Sequence, residues 1–183
     1  MKIILKNSRA GAVFFAVCAV AALVLGPVNT VRRELNQVQR LFTQGQERDG
    51  VGVAADLDTQ ADCAANLAVI GAKYTQTEAL AQLARESAAQ VHIHDGIVEK
   101  SQAADTAGQA FDQLYQALAQ EELSEHDAEY RQRLQVQMDA ARDTASRDPY
   151  NQAAESYNRL TQQFPASLAA GLLHTAELPI FAE

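Results

Sequence analysis

The stretch AGAVFFAVCAVAALVLGPV occupies residues 10–28 and contains no charged side chain. The hydrocarbon core of a bilayer is spanned by about 20 helical residues, with a usable range of roughly 17–25. Because lipid offers no hydrogen-bond partner to a bare backbone group, such a stretch has to be helical where it crosses. Three basic residues precede it, and a polar sequence follows it. We therefore predict three regions: a short basic N-terminus (1–9), a transmembrane helix (10–28) and a helical domain (29–183).

A cleaved signal peptide is the alternative interpretation, since it has the same basic start and apolar middle. Two features disfavour cleavage. The apolar run is longer than the usual core of a signal peptide, and no small-residue cleavage site follows Val28. A lipoprotein signal would use Cys18, but Val17 before it is too bulky for such a site. We expect an uncleaved signal anchor.

The orientation of this anchor is predicted from its flanking charges, because basic residues favour the cytoplasmic side. The N-terminal flank carries Lys2, Lys6 and Arg9 together with the terminal amine. The other flank also carries three arginines, which Glu34 partly offsets. This distribution predicts a single-pass protein of the cell membrane, with its N-terminus in the cytoplasm and its domain outside.

The composition favours one helical domain after the anchor. The chain has 183 residues and no Trp, with only nine Gly and four Pro, a balance that favours helix over strand. All 23 acidic residues follow the apolar stretch, whereas three of the 15 basic residues precede it. The remainder therefore has a formal net charge of −11. A domain this acidic is expected to be a poor partner for nucleic acid or for an anionic lipid surface.

Apolar residues recur at alternating intervals of three and four along the domain, which is the spacing of one helical stripe. The first stripe leaves the membrane at Val28 and continues to Phe42. The second predicts one long helix over 53–91, and its members are Cys63, Leu67, Ile70, Tyr74, Thr77, Ala81, Ala84, Ala88 and Val91. Further helices are predicted over 101–121, from Ser124 and from Asp148, the last two with N-capping residues. These stripes predict an all-α fold, an antiparallel four-helix bundle after the anchor.

The C-terminal region carries a motif of paired Tyr and Asn residues. It reads Tyr150-Asn151, then Tyr157-Asn158, then Phe164-Pro165, followed by Ala170-Gly171-Leu172 and Phe181. These residues resemble the signature of the LemA family, bacterial membrane proteins with one N-terminal membrane helix. Val53, Leu57, Asp62, Asn66-Leu67 and Tyr74 match the middle segment of that family. The resemblance implies an elongated antiparallel four-helix domain and a place in the bacterial envelope, but no general activity.

The chain departs from the family pattern at several positions, which makes it a divergent member. Gly50 stands where the family has Trp, Asp58-Thr59-Gln60 replaces a basic stretch, and Ala65 replaces a proline. The Tyr-Pro-x-Leu connection between the later helices is also missing. Properties that depend on the basic stretch or on this connection are therefore not carried over.

Several residues are of types that could bind a metal or act in catalysis, but each has a plainer interpretation. His92 and His94 are two residues apart, so on a helix they point to different faces, and no third ligand is spaced nearby. Cys63 lies in the middle of an apolar stripe, where a thiol is usually a small core residue. The acidic cluster at Glu121, Glu122, Glu125 and Asp127 is typical of a solvated helix end. We predict no catalytic residue, no metal site and no cofactor.

The candidate structural or interaction patch consists of Tyr150, Asn151, Tyr157, Asn158, Phe164 and Pro165. The seven-residue interval places both Tyr-Asn pairs on one helical stripe. In the structural interpretation the tyrosines face the core and the amides hydrogen-bond to a neighbouring helix or to the following turn. In the functional interpretation the same residues form a polar patch for a partner protein.

The resemblance and the missing catalytic motifs predict a membrane-anchored, non-enzymatic scaffold or envelope protein of the LemA type. It would bind a protein partner, or a second copy of itself, through its bundle surface. The alternative is an extracytoplasmic four-helix sensor or ligand-binding module that acts with a separate signalling partner. A hydrolase or metalloenzyme is the third and least favoured hypothesis.

Overall fold

The described part of the protein is all helical. The computed structural model describes residues 8–46 and 51–181, and it describes no side chain for residues 8–10, 17 and 19–24. These ranges contain no strand, which confirms the all-α prediction. The helices are α1 (Ser8–Gln44), α2 (Val53–Gly71), α3 (Glu78–Ile93), α4 (Ile97–Leu118), α5 (Glu125–Arg147), α6 (Tyr150–Gln162) and α7 (Ala166–Leu173).

Two antiparallel helix pairs follow one another along the molecule. In the first pair α6 packs against the C-terminal half of α1, with the rings of Phe42 and Tyr150 5.4 Å apart. In the second pair α5 packs against α2, and Asp127 at the start of α5 meets Lys73 just past the end of α2. Only two residues separate α5 from α6. The pairs therefore lie end to end, with α1 and α2 on one side and α6 and α5 on the other.

The core is built around α2, which contacts α3, α4 and α5. Leu67 is fully buried on this helix, and the small residues Ala81, Ala84 and Ala88 of α3 are buried beside it. Small side chains let two helix backbones approach closely, so α2 and α3 bury their facing surfaces here by close contact between the helices. The stripe predicted from Cys63 to Val91 is confirmed as a buried face, apart from the half-buried Tyr74.

The single long helix predicted over 53–91 is wrong, because residues 72–77 form a turn between α2 and α3. The turn is held by i→i+3 backbone bonds and by the Thr77 hydroxyl, which donates to the Gly71 carbonyl at 2.7 Å. A Cβ at Gly71 would lie 2.8 Å from a Leu114 methyl carbon. The absence of a side chain at Gly71 therefore lets α2 and α4 approach here while the chain reverses into α3.

The predicted caps at the last long helices are confirmed. The Ser124 hydroxyl accepts from the Asp127 backbone N–H at 3.1 Å, and the Asp148 carboxylate accepts from the Tyr150 N–H at 2.7 Å. Each bond satisfies one of the donors that a helix start leaves open. Asp127 itself is buried rather than solvated, so the interpretation of the acidic cluster as a solvated end is wrong for this member.

The predicted membrane segment at Ala10–Val28 forms part of α1, which continues through Pro27 without interruption. Among the residues that the structure describes, no helix has both the length and the apolar character needed to cross a membrane. Within the predicted segment, the side chains of residues 10, 17 and 19–24 lie outside the described set.

A partly buried carboxylate at the start of α2 gives a prediction about pH. Burial, with a smaller contribution from the Asp148 carboxylate, raises the pKa of Asp56 from 3.8 to about 6. Because the pKa is higher in the folded state, the Asp56 charge destabilises the fold above that pH, and this cost disappears as the pH falls towards about 4.

We expect Asp56→Asn to raise the free energy of unfolding by about 1 kcal/mol at about pH 7.5, with the gain shrinking towards zero near pH 4. Thermal melts of the full chain in detergent would measure it. The exposed Asp139→Asn is the control. An equal gain at both pH values would contradict the assignment.

Candidate functional site

The candidate site is the contact between α6 and the extended residues 175–181, which we call the C-terminal segment. Four of the six predicted patch residues meet there: Tyr150, Asn151, Tyr157 and Asn158. Tyr150 and Tyr157 are fully buried, and Asn158 is buried beside them. Asp148 and Pro149 start α6 so that this face turns towards the C-terminal segment rather than towards solvent.

Asn158 binds the C-terminal segment in both directions. Its Nδ2 donates to the Leu178 carbonyl at 2.8 Å, and its Oδ1 accepts from the Leu178 N–H at 2.9 Å. The side-chain amide thus pairs with a main chain as a neighbouring β-strand would. Both bonds are buried, so the Leu178 N–H and carbonyl would both lose their partner if the Asn158 side chain were removed.

Asn151 and Tyr150 bind the same segment further along. The Asn151 Oδ1 accepts from the Phe181 N–H at 2.7 Å, while its Nδ2 donates to the Ala145 carbonyl at 2.8 Å at the end of α5. The Tyr150 hydroxyl donates to the Pro179 carbonyl at 2.9 Å. All these bonds go to main-chain groups, two of them in the C-terminal segment and one at the end of α5.

Aromatic contacts enclose the Tyr150 ring. Its centroid lies 5.4 Å from that of Phe42 on α1 and 5.7 Å from that of Phe181. Burial raises the pKa of the Tyr150 hydroxyl well above its usual range, so the group stays a neutral donor at physiological pH. Tyr150 therefore joins α1, α6 and the C-terminal segment.

Tyr157 occupies the same face one heptad later. It lines a shallow groove of about 290 Å³ with Leu35 of α1 and Leu173 of α7. Its hydroxyl is buried and has no hydrogen-bond partner among the atoms described. The ring therefore acts mainly as apolar core.

Phe164 and Pro165, the other two patch residues, lie away from these contacts. Phe164 is 77% exposed between α6 and α7, and Pro165 is half-buried. The structure therefore brings four of the six predicted residues together around the C-terminal segment and leaves Phe164 on the surface. As a surface for a partner protein, the patch stays a prediction.

The match to a known protein family covers the part of the chain that contains this site. The model of the LemA family matches residues 51–183, which includes both Tyr-Asn pairs and the C-terminal segment. This chain belongs to the LemA family. No curated protein and no solved structure matches it. In this LemA protein the signature Tyr-Asn pairs are thus the residues that bind the chain's own C-terminal segment.

The two histidines of the LemA protein do not converge on a metal. His92 lies between two carboxylates of α2, with Nδ1 3.2 Å from Asp58 and Nε2 3.3 Å from Asp62. Different ring nitrogens face the two carboxylates, so no single ion would be ligated by all three groups. In the described ranges no cluster of three His, Cys, Asp or Glu residues is arranged to hold a metal.

Cys63 of the LemA protein lies on α2 and is fully buried in the core. Burial, together with the nearby Asp62 charge and partly offset by Arg142, raises the pKa of its thiol from 9.0 to about 11. The thiol is therefore protonated at neutral pH, and the thiolate that nucleophilic chemistry needs is scarce.

Partly buried ion pairs between distant residues are the polar contacts that the sequence did not predict. Lys100 Nζ lies 2.6 Å from Asp58 Oδ1, and Lys73 Nζ lies 2.6 Å from Asp127 Oδ1. The hydrogen bond from Lys73 is the largest of the interactions that lower the pKa of Asp127. These pairs join residues 42 and 54 positions apart, so no local pattern in the sequence indicates them.

Proposed function

We propose that this LemA protein is a membrane-tethered, non-enzymatic helical scaffold that binds a protein partner through its domain. Residues 1–9 would form its cytoplasmic start, 10–28 its single membrane span, and 29–183 an elongated four-helix domain outside. In that domain the pairs α1/α6 and α2/α5 would form the long axis. The proposal rests mainly on the continuity of α1 from the apolar stretch into the folded core.

The two ends of α1 have opposite surroundings. Val13, Phe14, Phe15 and Leu25 are all more than 60% exposed, and no atom lies within 4 Å of a Cβ built on Gly11 or Gly26. Further along, Val31, Val38 and Phe42 are buried against other helices. An exposed apolar face of this size is rare in water and is ordinary in lipid. This contrast supports a helix that passes from the bilayer into the domain.

The hydrogen bonds of the polar signature residues support a non-enzymatic role. The Asn151 and Asn158 amides and the Tyr150 hydroxyl all bind main-chain groups of the C-terminal segment or of α5. These hydrogen-bonding groups are occupied by contacts that hold the domain together. The partner would then meet the outer helix surfaces, where Val69 of α2 and Val136 of α5 are exposed apolar side chains.

Two lysines inside the proposed span test the anchor. Each charge at the centre of a membrane helix costs about 2.5–3.5 kcal/mol on insertion scales, so Phe15→Lys with Cys18→Lys should cost about 6 kcal/mol. We expect the wild type in carbonate-washed membranes and the double variant largely in the soluble or degraded fraction. The control is Val136→Lys in the domain, which should stay with the membrane. Wild-type protein in the carbonate supernatant would contradict the proposal.

A further inference from the structure

A second apolar surface lies on α7, away from the core. Phe164, Leu168 and Leu172 recur every four residues and are 77%, 66% and 64% exposed, and we call them the α7 stripe. The opposite side of the helix is buried through its alanines. No charged residue occurs between Phe164 and Leu173. Phe164 just before α7 and Leu168 and Leu172 on it are large exposed apolar side chains close together in the chain, which indicates a contact surface rather than scattered exposure.

The position of the α7 stripe along α1 follows from the antiparallel packing of α6. Tyr150 lies beside Phe42, and α6 runs back along α1 to Gln162. Twelve residues at 1.5 Å each cover about 18 Å, which on α1 leads from Phe42 to about Thr30. At its other end, α7 shares a groove with α1, in which Leu173 and Leu35 are both lining residues. The α7 stripe thus lies beside residues 28–35 of α1, directly after the proposed span.

Basic side chains surround the same level of the molecule. Arg32 and Arg33 are exposed on α1, and Arg159 is exposed on α6 about one turn before its end. Arg33 contacts Glu34 at 3.2 Å and Arg159 contacts Glu155 at 3.6 Å, but such exposed pairs are weak. Exposed arginines also occur elsewhere on the domain, at Arg133 and Arg147, and Glu99 lines the groove at this end. Arg32, Arg33 and Arg159 differ from the others in lying next to the proposed span. Arginines near a bilayer surface are attracted by anionic headgroups.

We propose that the α7 stripe inserts into the interfacial layer of the bilayer in which α1 is anchored, with anionic headgroups against Arg32, Arg33 and Arg159. The inference rests on the proposed membrane anchor and adds a second lipid contact to it. The headgroup region extends about 5–7 Å beyond the hydrocarbon core on each side. Phe164, nearest to the level of Val28, enters this layer first. With two contacts on one membrane, the domain is held in a fixed orientation relative to the bilayer.

Tryptophan fluorescence tests this contact, because the chain has no Trp of its own. Phe164→Trp places a single reporter on the α7 stripe, and this exposed position tolerates the change. The full chain is reconstituted in phosphatidylglycerol–phosphatidylcholine vesicles whose acyl chains carry bromine as a quencher. Phe15→Trp reports on the proposed span. Val136→Trp is the matched exposed control, since α5 starts at the far end of α2 and Val136 lies remote from the anchor.

We expect blue-shifted, lipid-quenched emission from Phe15→Trp and from Phe164→Trp, and red-shifted, unquenched emission from Val136→Trp. Quenching at position 164 should weaken in vesicles of phosphatidylcholine alone. Quenching at 15 without quenching at 164 overturns the inference and leaves the anchor standing. No quenching at 15 overturns the proposed anchor itself. Blue-shifted but unquenched emission at 164 also overturns the inference, because another protein surface then covers the stripe.

Discussion

Leu67→Asp is expected to abolish the cooperative thermal unfolding of the helical domain. Leu67 is fully buried in the C-terminal half of α2, the helix that contacts α3, α4 and α5. The substitution removes an apolar contribution of about 1.5–3 kcal/mol and buries a carboxylate that has no partner, at a cost of several kcal/mol. The sum approaches the whole stability of a typical domain, about 5–15 kcal/mol. Circular dichroism melts of the detergent-purified full chain measure it.

Val69→Asp is the matched control for this prediction. Val69 lies two residues away on the same helix but is 57% exposed. Surface substitutions of this kind change stability by about 0.5 kcal/mol or less. If Leu67→Asp melts as cooperatively as Val69→Asp, α2 does not pack as described and its buried face is assigned wrongly.

Asn158→Ala is the second large effect, and we expect it to lower the free energy of unfolding by about 2–5 kcal/mol. The change leaves the buried N–H and carbonyl of Leu178 without their partner, at about 1–3 kcal/mol for each group. The C-terminal segment should then detach from α6. Thermal melts measure the loss, and hydrogen exchange at the Leu178 and Phe181 amides, which should become faster, locates it.

Gln152→Ala, at an exposed position on the same helix, is the control for Asn158→Ala. It should leave both the melt and the exchange rates unchanged. An Asn158→Ala variant with unaltered stability would show that this amide is not a structural clamp. Binding to a partner would then be the remaining role for it.

The buried faces of the helices were predictable from the sequence, but one helix boundary was not. Periodicity reports which side of a helix is apolar, and it correctly selected Leu67, Ala81 and Val91. It does not report a change of direction when both helices bury small residues in the same rhythm. The turn at 72–77 is held by backbone bonds and by the Thr77 hydroxyl, and Gly71 at its start packs against Leu114 of α4, a contact between distant parts of the chain.

The candidate site was predictable only in its local half. The seven-residue interval predicted that Tyr150 and Tyr157 share one face, and the structure places both in the core. The segment that they hold lies 20–30 residues further on, and no local pattern in the sequence pairs it with the two asparagines. An extended segment bound through its main chain leaves little side-chain pattern to detect. Phe181, which is part of the family signature and packs half-buried against the Tyr150 ring, was the available signal.

The most direct test of the membrane-tethered scaffold is the intact mass of the protein recovered from carbonate-washed membranes. We expect the chain to stay in the membrane pellet and its mass to include residues 10–28. A mass that begins downstream of Val28, or recovery of the chain in the wash, would contradict it.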